Sequence, residues 1–468
     1  MTTSSYKQST IVSLLSAGTF IAILNQTLMI TAIPPVMAEM NITANSAQWL
    51  TTVFMLVNGI MIPVSAYLIS RFTTRQLFLS AMGIFAAGTL IAAVAPNFEI
   101  LLLGRVIQST GAGVMLPLMQ TVFLMIFPKN KRGAAMGLVG LVISFAPAIG
   151  PALSGWVTAN YYWRILFLII FPIALINILV AYFALKNVTE VTKPKIDIVS
   201  ILLSSIGFGG LLYGFTSAGN YGWGSSITLA SLGAGGLSLV LFISRQLRLQ
   251  QPILEFRVFN YSVFPMAIAI GMISFMGLIG AETIIPLFMQ NMRDFSAFEA
   301  GVALLPGALV SGLSAPIIGR IFDKIGPRWL VISGLIIMTT ATFAFTNLGP
   351  ATSMAYITAS YTVRMLGLSM VMMPVATAAL NQLPKQLIAH GAAMDNTMKM
   401  IAASVGTAIL VTVMTMTAEN AKQRPEIAYP DIHGANIAFL VISLLSLLGL
   451  ALSFFIRRER QEETVPEN

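Results

Sequence analysis

Residues 104–155 read GRVIQSTGAGVMLPLMQTVFLMIFPKNKRGAAMGLVGLVISFAPAIGPALSG, two long apolar runs joined by the basic turn Lys129-Asn130-Lys131-Arg132. Roughly 20 apolar residues are what a helix needs to cross the hydrocarbon core of a bilayer, so the stretch predicts two membrane-spanning helices. Arginine at mid-bilayer costs ~2.5–3.5 kcal/mol on insertion scales, and Arg105 must therefore face a bundle interior or a water-filled cavity. In the second run Pro147 and Pro151 remove two backbone donors and predict a bent or loosened helix. Ala146, Gly150 and Ser154 form one row of small residues and Gly133 and Gly137 another, and such rows let a neighbouring helix approach closely. The stretch reads as a packing hinge.

The rest of the chain repeats this texture. Of 468 residues 56% are hydrophobic and 9% charged, against about a quarter charged in soluble domains. Fourteen apolar runs, from 10–35 to 435–457, predict an all-α polytopic membrane protein with fourteen transmembrane helices. The competing count is twelve, with the two runs between 198 and 244 forming a cytoplasmic hairpin, but both are apolar enough to insert. The first run is too long for a signal-peptide core and is expected to be the first span. The net charge of +9 does not point to nucleic acid, because the basic residues sit in short loops between spans. There is no cysteine and there are two histidines, so neither a disulfide nor a metal cluster is expected. No GxxxxGK[ST] phosphate loop occurs, so no ATP is expected to be consumed, and no cofactor is called for. The Gly233–Gly236 cluster reads as helix packing.

Basic residues set orientation. Nineteen of the 26, among them Lys7, Arg71, Arg75, Lys129, Lys193, Arg257, Lys324, Arg328, Lys385, Arg457, Arg458 and Arg460, fall on the side that carries both termini. Arg164, Arg293, Lys422 and Arg424 fall on the other. Both termini are expected to be cytoplasmic in a multi-pass cytoplasmic-membrane protein.

An internal repeat follows. GAAM at 133–136 recurs at 391–394, an offset of 258; Arg105, with Pro117 after it, recurs as Arg364 with Pro374, an offset of 259; and the loop from Ala66 to Arg75 aligns with that from Gly319 to Arg328, an offset of 253. The chain thus divides into two pseudo-symmetric six-helix bundles, 1–186 and 259–468, with two additional central helices in 187–258.

Parallel six-helix halves are the plan of major facilitator transporters, and the residues make the resemblance specific. Gly319, Asp323, Lys324, Gly326 and Arg328 resemble the family's cytoplasmic-loop signature, with Arg71 and Arg75 in the first-half copy. Arg105, Gln108, Gly111 and Gly113 resemble its fourth-helix arginine motif. Pro147, Gly150, Pro151 and Gly155 are similar to the fifth-helix signature of antiporters. With fourteen spans the chain resembles the fourteen-helix drug:proton antiporters, in particular the lincomycin-type multidrug exporters of Gram-positive bacteria. The resemblance implies export of amphipathic small molecules driven by protons, by a monomer in the lipid bilayer. The rivals are a dedicated lipid or metabolite exporter and a membrane sensor or scaffold that moves nothing. Two departures stand out. The first-half loop has Ala66, Ser70 and Thr73 where the signature has glycine, aspartate and glycine. The first span reads Leu24-Asn25-Gln26-Thr27 where many relatives carry an aspartate.

Two carboxylates lie deep in spans. Asp395 stands four residues before Lys399, the spacing of a structural ion pair, with proton coupling as the alternative. Glu282 has no basic neighbour in sequence, and an apolar span favours its neutral form; it is a candidate for a proton or substrate role, with a purely structural hydrogen bond as the alternative. Arg105 reads equally as a coupling element or as a strut to carbonyls near Asn25, and Arg364, its pseudo-symmetric counterpart, reads first as a strut. Asn25, Gln26, Asn58, Gln108 and Gln120, costly at membrane depth, are expected to face the central cavity with Arg364. The 27 methionines and 28 phenylalanines suit an adaptable cavity but read first as core and lipid-facing residues. Asp323 is expected to clamp the inner ends of spans ten and eleven.

Overall fold

The structure is a computed structural model that describes residues 8–455 except Glu190 and Lys193. Of the basic residues that set orientation, Lys7, Lys193, Arg457, Arg458 and Arg460 lie outside the described residues. Fourteen helices follow one another: α1 (Gln8–Met40), α2 (Ala44–Arg71), α3 (Thr74–Ala93), α4 (Phe98–Ile126), α5 (Arg132–Asn160), α6 (Ile165–Ala184), α7 (Ile198–Tyr221), α8 (Ser226–Arg248), α9 (Val263–Leu287), α10 (Ala297–Ile325), α11 (Pro327–Phe343), α12 (Met354–Asn381), α13 (Ile388–Lys422) and α14 (Pro430–Ser453). Each contains a stretch long and apolar enough to cross a membrane, α7 and α8 included, so the fourteen-span count holds over the twelve-span one. Among the described residues there is no strand.

The helix starts follow from local chemistry. Thr73 with Gln76 and Ser296 with Glu299 form capping boxes that satisfy the first donors of α3 and α10. Asn97 and Ser353 cap α4 and α12 with their side chains. The basic turn folds as a 3-10 turn over Lys129–Lys131, and α5 then begins with no side-chain cap of its own. Its first free N–H groups are met from elsewhere, as described below.

α5 runs unbroken through Pro147 and Pro151. The expected hinge is therefore not a break in the helix, and its small residues hold it in close contact with its neighbours. A Cβ on Gly133 or Gly137 would collide with the backbone of α10 at Gly319 and Ala315, and one on Gly150 with Thr27 of α1. Gly155 has no neighbour within contact distance and plays no part in this packing.

Helices α1–α6 pack among themselves, as do α9–α14, and the two groups meet along two seams, α5–α10 and α2–α13. The internal repeat makes these seams equivalents of one another, but they are built differently. Along α5–α10 the backbones touch, and Ser144 meets Ser311 at 3.1 Å. The other seam is overlaid by α7, which holds both sides. Tyr213 stacks on Trp49 with ring centroids 5.7 Å apart, and Leu212 fills the space beside Gly59. Ser404 Oγ donates to the Leu212 carbonyl at 3.2 Å, and Trp223 Nε1 to Thr412 Oγ1 at 2.9 Å. α8 packs on α7, where Gly235 lies against the backbone of Gly210 and Leu211. Of the Gly233–Gly236 cluster Gly235 takes the expected packing role, whereas a Cβ on Gly233 or Gly236 would meet nothing. The outer faces of α6 and α8 expose Leu168, Ile176, Phe183, Leu237 and Val240, a surface suited to lipid.

Candidate functional site

α4 and α12 carry the repeated arginines into the centre of the two groups. Arg105 is fully buried. Its Nη1 donates to Asn25 Oδ1 at 2.6 Å and to Gln108 Oε1 at 2.8 Å, and its Nε to the Leu50 carbonyl at 3.1 Å. The guanidinium lies over the Phe54 ring, 4.2 Å from its centroid, and Gln108 passes the chain on to Thr89 Oγ1 at 2.7 Å. One side chain thus ties α1, α2, α3 and α4 together, the geometry of the strut. Asn25 and Gln108, expected to face the cavity, are buried instead and consumed by this network, because a guanidinium in an apolar bundle needs acceptors more than the cavity needs amides.

Arg364 is equally buried, but its bonding differs. Nε donates to Thr342 Oγ1 at 3.2 Å, whereas Nη1 and Nη2 have no hydrogen-bond partner. Unpaired buried donors of this kind cost about 1–3 kcal/mol each, and more when charged. Nη2 lies 3.3 Å from where a Cβ on Gly277 of α9 would stand. One and a half turns further along α9 is Glu282, which is exposed. The Tyr361 hydroxyl of α12 reaches its carboxylate, and Arg364 acts on it through charge. Among the described residues Glu282 belongs to no ion pair. Tyr361 has room because its neighbour on α10 is Gly307, where a Cβ would collide with its ring.

The numbering aligns the two clusters. Asn25 and Glu282 are 257 positions apart and Thr89 and Thr342 are 253 apart, close to the other offsets of the repeat. Tyr361 and Thr342 were not singled out from the sequence. Tyr361 could have been, since it precedes Arg364 by three residues on one helical face.

No substantial contact joins α1 or α4 to α9 or α12, so a gap separates the two clusters, and Glu282 is exposed beside it. At the end of the bundle that carries the basic turns the gap is closed. Asp323 Oδ1 accepts from Gly133 N at 2.7 Å and Oδ2 from Ala134 N at 2.9 Å. Arg132 Nη1 donates to Asn381 at 3.1 Å, and Asn396 Nδ2 to Gln120 Oε1 at 2.6 Å. Gln120 is thus a bridge between the groups in the closed end and does not line an open cavity. Gln26 and Asn58 are half-buried, and the Asn58 amide lies against Gly113. Asp395 pairs with Lys399 at 2.6 Å, both buried, as the spacing predicted.

The Asp323 clasp corrects the expectation that it holds α10 to α11. α11 opens with Pro327, which has no N–H to offer, while the uncapped start of α5 presents two. A carboxylate at a helix N-terminus is stabilising. Gly319 lets the backbones meet, since a Cβ there would collide with the Gly133 carbonyl. Gly326 turns α10 into α11 at φ 78°, a region that favours glycine. Arg328 stands 5.9 Å from the Trp329 ring, and Lys324 is exposed.

The first-half loop makes no such clasp. Ser70 Oγ bonds back to the Ala66 carbonyl, and the Ser70 carbonyl accepts from Thr192 N at 3.0 Å. Arg71 donates to the Pro194 carbonyl, Arg75 to the Tyr182 carbonyl, and Thr74 Oγ1 meets Thr189 at 2.9 Å. Its partners are the end of α6 and the segment leading to α7.

Comparison with known proteins agrees with this architecture. The family model described as Major Facilitator Superfamily matches residues 15–407. The chain is 54% identical, over 98% of each chain, to the uncharacterized MFS-type transporter YcnB of Bacillus subtilis. It is 41% identical to the lincomycin resistance protein LmrB of Listeria monocytogenes, over 96% of this chain and 97% of that one. A crystal structure of the human organic anion transporter MFSD10 superposes with a TM-score of 0.70 at 14% identity, covering 96% of this chain and all of that one.

Proposed function

We propose that this chain, which belongs to the major facilitator superfamily and is a transporter rather than an enzyme, exports bulky amphipathic antimicrobials across the cytoplasmic membrane in exchange for protons carried by Glu282. The bundles 1–186 and 259–468 rock against each other, and the end rich in Lys and Arg is cytoplasmic, as are both termini. The observation that carries the reading is Glu282: an exposed carboxylate beside the central gap, outside every ion pair, on the side away from the closed basic end. Asp395, the other intramembrane acid, is buried against Lys399 within the closed region. An exchanger needs a group that is charged in one state and neutral in the other, and the amide of Asn25 cannot titrate. The drive is sufficient, since one charge moved through 100 mV contributes ~2.3 kcal/mol. The relatives named for lincomycin resistance support antimicrobial substrates.

Glu282→Gln in proteoliposomes should abolish drug-coupled proton release while leaving drug binding partly intact, least so for cations. If the variant still concentrates drug when only a pH difference is imposed, Glu282 is not the carrier. A panel of susceptibilities with and without the gene, lincomycin included, tests the substrate class. No change for any toxic compound would overturn the drug reading in favour of a dedicated metabolite or lipid exporter.

A further inference from the structure

Arg364 is fully buried with both Nη1 and Nη2 unbonded, against Nη2 alone on Arg105, so with fewer acceptors than Arg105 it depends more on negative charge nearby. Every element packed on α9 limits what can supply it. α12 faces Glu282 with Tyr361 and Arg364 themselves. α13 presents the Asp395–Lys399 pair, which meets α9 at Gly271, about three turns toward the basic end, and is neutral as a unit. α14 contributes Ile442 against Gly277 and Gly280. On α10 the acids are Glu299 in its first turn and Asp323 in its last, one bonded in its capping box and the other to α5. Arg293 lies beyond the end of α9, next to Phe295. Glu419 and Asp431 stand exposed at the far ends of α13 and α14, and Arg257 pairs with Glu255 at the 3-10 turn before α9. Among the described residues Glu282 is the acid that remains at this depth.

The first half shows the alternative solution. There Arg105 has a direct acceptor in Asn25 Oδ1 at 2.6 Å, a bond that no protonation can alter. In the second half the acceptor's place in the repeat is taken by a carboxylate that holds no ion pair with its arginine.

We propose that Glu282 and Arg364 form a switchable charge pair, in which ionised Glu282 compensates the buried guanidinium and a proton arriving on Glu282 strands it, driving the two halves to part at the basic end. The inference rests on the reading of Glu282 as proton carrier and adds Arg364 as the positioning residue that converts protonation into movement. The proton passes from water in the gap to a carboxylate oxygen of Glu282; no other bond is made or broken, and Tyr361 keeps its hydroxyl proton as donor. Stranding matters because, among the described residues, Nη1 and Nη2 hold no hydrogen bond in this conformation.

The chain has no cysteine, so Ser311→Cys, at the contact with Ser144 across the α5–α10 seam, gives a single reporter that needs no transported compound. Its alkylation by N-ethylmaleimide is measured in nanodiscs at mildly alkaline and mildly acidic pH, each labelling rate being divided by that of a free small thiol at the same pH because the thiolate is the reacting form. Acid should speed labelling about fivefold, the low end of a coupling between two sites. Glu282→Gln should label fast at both pH values, Arg364→Met slowly at both, and Arg364→Lys should keep the acid response. Glu282→Gln combined with Arg364→Met should return labelling to the slow rate, because nothing is then stranded. Should Arg364→Met fail to fold, Arg364→Gln, which can keep the Thr342 contact, takes its place. An undiminished acid response in the neutral Arg364 variants, or fast labelling in the double variant, would overturn the charge pair. If Glu282→Gln itself retains the acid response, the proton-carrier reading fails; if it loses the response while Arg364→Met keeps it, only the pair fails.

Discussion

Arg105 and Arg364 occupy matching places in α4 and α12, yet one is bonded through two nitrogens to three helices' worth of acceptors and the other through a single nitrogen to Thr342. The difference traces to two replacements within the repeat. Glu282 stands in place of Asn25, and Gly367, three residues after Arg364, in place of Gln108. An amide gives a permanent acceptor; a carboxylate gives one whose charge depends on a proton. The seams differ in the same sense. Asp323 clasps α5 to α10, while its counterpart Ser70 bonds only within its helix and to the segment before α7. Duplication supplied two copies of each device, and one half uses them as fixed structure.

The largest effect that would break this comparison is on stability. Arg105→Met removes the only donor among the described residues to buried Asn25 Oδ1 and to Gln108 Oε1, and one donor from the Leu50 carbonyl. At about 1–3 kcal/mol per stranded group, the loss should reach ~3–5 kcal/mol, read as a lowered thermal midpoint and a poor yield of monodisperse protein in detergent. Arg364→Met takes one bond from the Thr342 hydroxyl, which still donates to the Met338 carbonyl, and removes two unpaired buried donors, so it should be neutral or stabilising. Equal destabilisation would mean that both arginines are struts.

A smaller effect is expected at the seams, on rate rather than on folding. The Asp323 carboxylate makes two charge-assisted bonds at the start of α5, an arrangement stabilising by up to ~2 kcal/mol. Asp323→Ala should weaken the closed basic end and lower the turnover of drug export about tenfold, whereas Ser70→Ala should stay within about twofold. Comparable losses from the two variants would show that the first-half loop acts on its seam despite lacking the acid.

Much of this was legible before the structure. The fourteen spans, the offsets near 258, the Asp395–Lys399 pair and the isolation of Glu282 each followed from local rules: apolar length, repeated motifs, and i to i+4 spacing. What escaped the sequence was contact across the bundle. Asp323 points to α5 and not to α11 because of two facts that must be combined, the missing N–H of Pro327 and the uncapped start of α5. Gln120 bridges to Asn396, and Asn25 serves Arg105, because buried polar groups seek each other and leave the gap. A one-dimensional reading locates such groups but not their partners. The pairing of Asn25 with Glu282 was available from the offset alone.

The smallest expected effect concerns α7 and α8, which overlie the α2–α13 seam that lacks a carboxylate clasp. Asp197 staples them: it caps α7 by accepting from Ser200 N, and Arg245 near the end of α8 donates to both its oxygens at 2.9 and 3.0 Å. Arg245's hydrogen bonds lower the carboxyl most, against the partial burial that raises it, with Ser200 adding to the lowering, so that it falls to about 2. A carboxyl depressed in the folded state stabilises at pH values above its unfolded value of ~3.9 and loses that contribution as pH falls through about 2. Acidification through this window should therefore loosen the α7–α8 pair in the parent protein, read as a lowered thermal midpoint in detergent. In Asp197→Asn the acid-dependent part of that change should be missing. At neutral pH Asp197→Asn should leave export within about twofold, since Trp223, Tyr213 and Leu212 still hold α7 to both halves. Loss of export at neutral pH would instead mean that α7 takes part in the movement of the seam it covers, and the second seam would then have a latch of its own, built from the inserted helices.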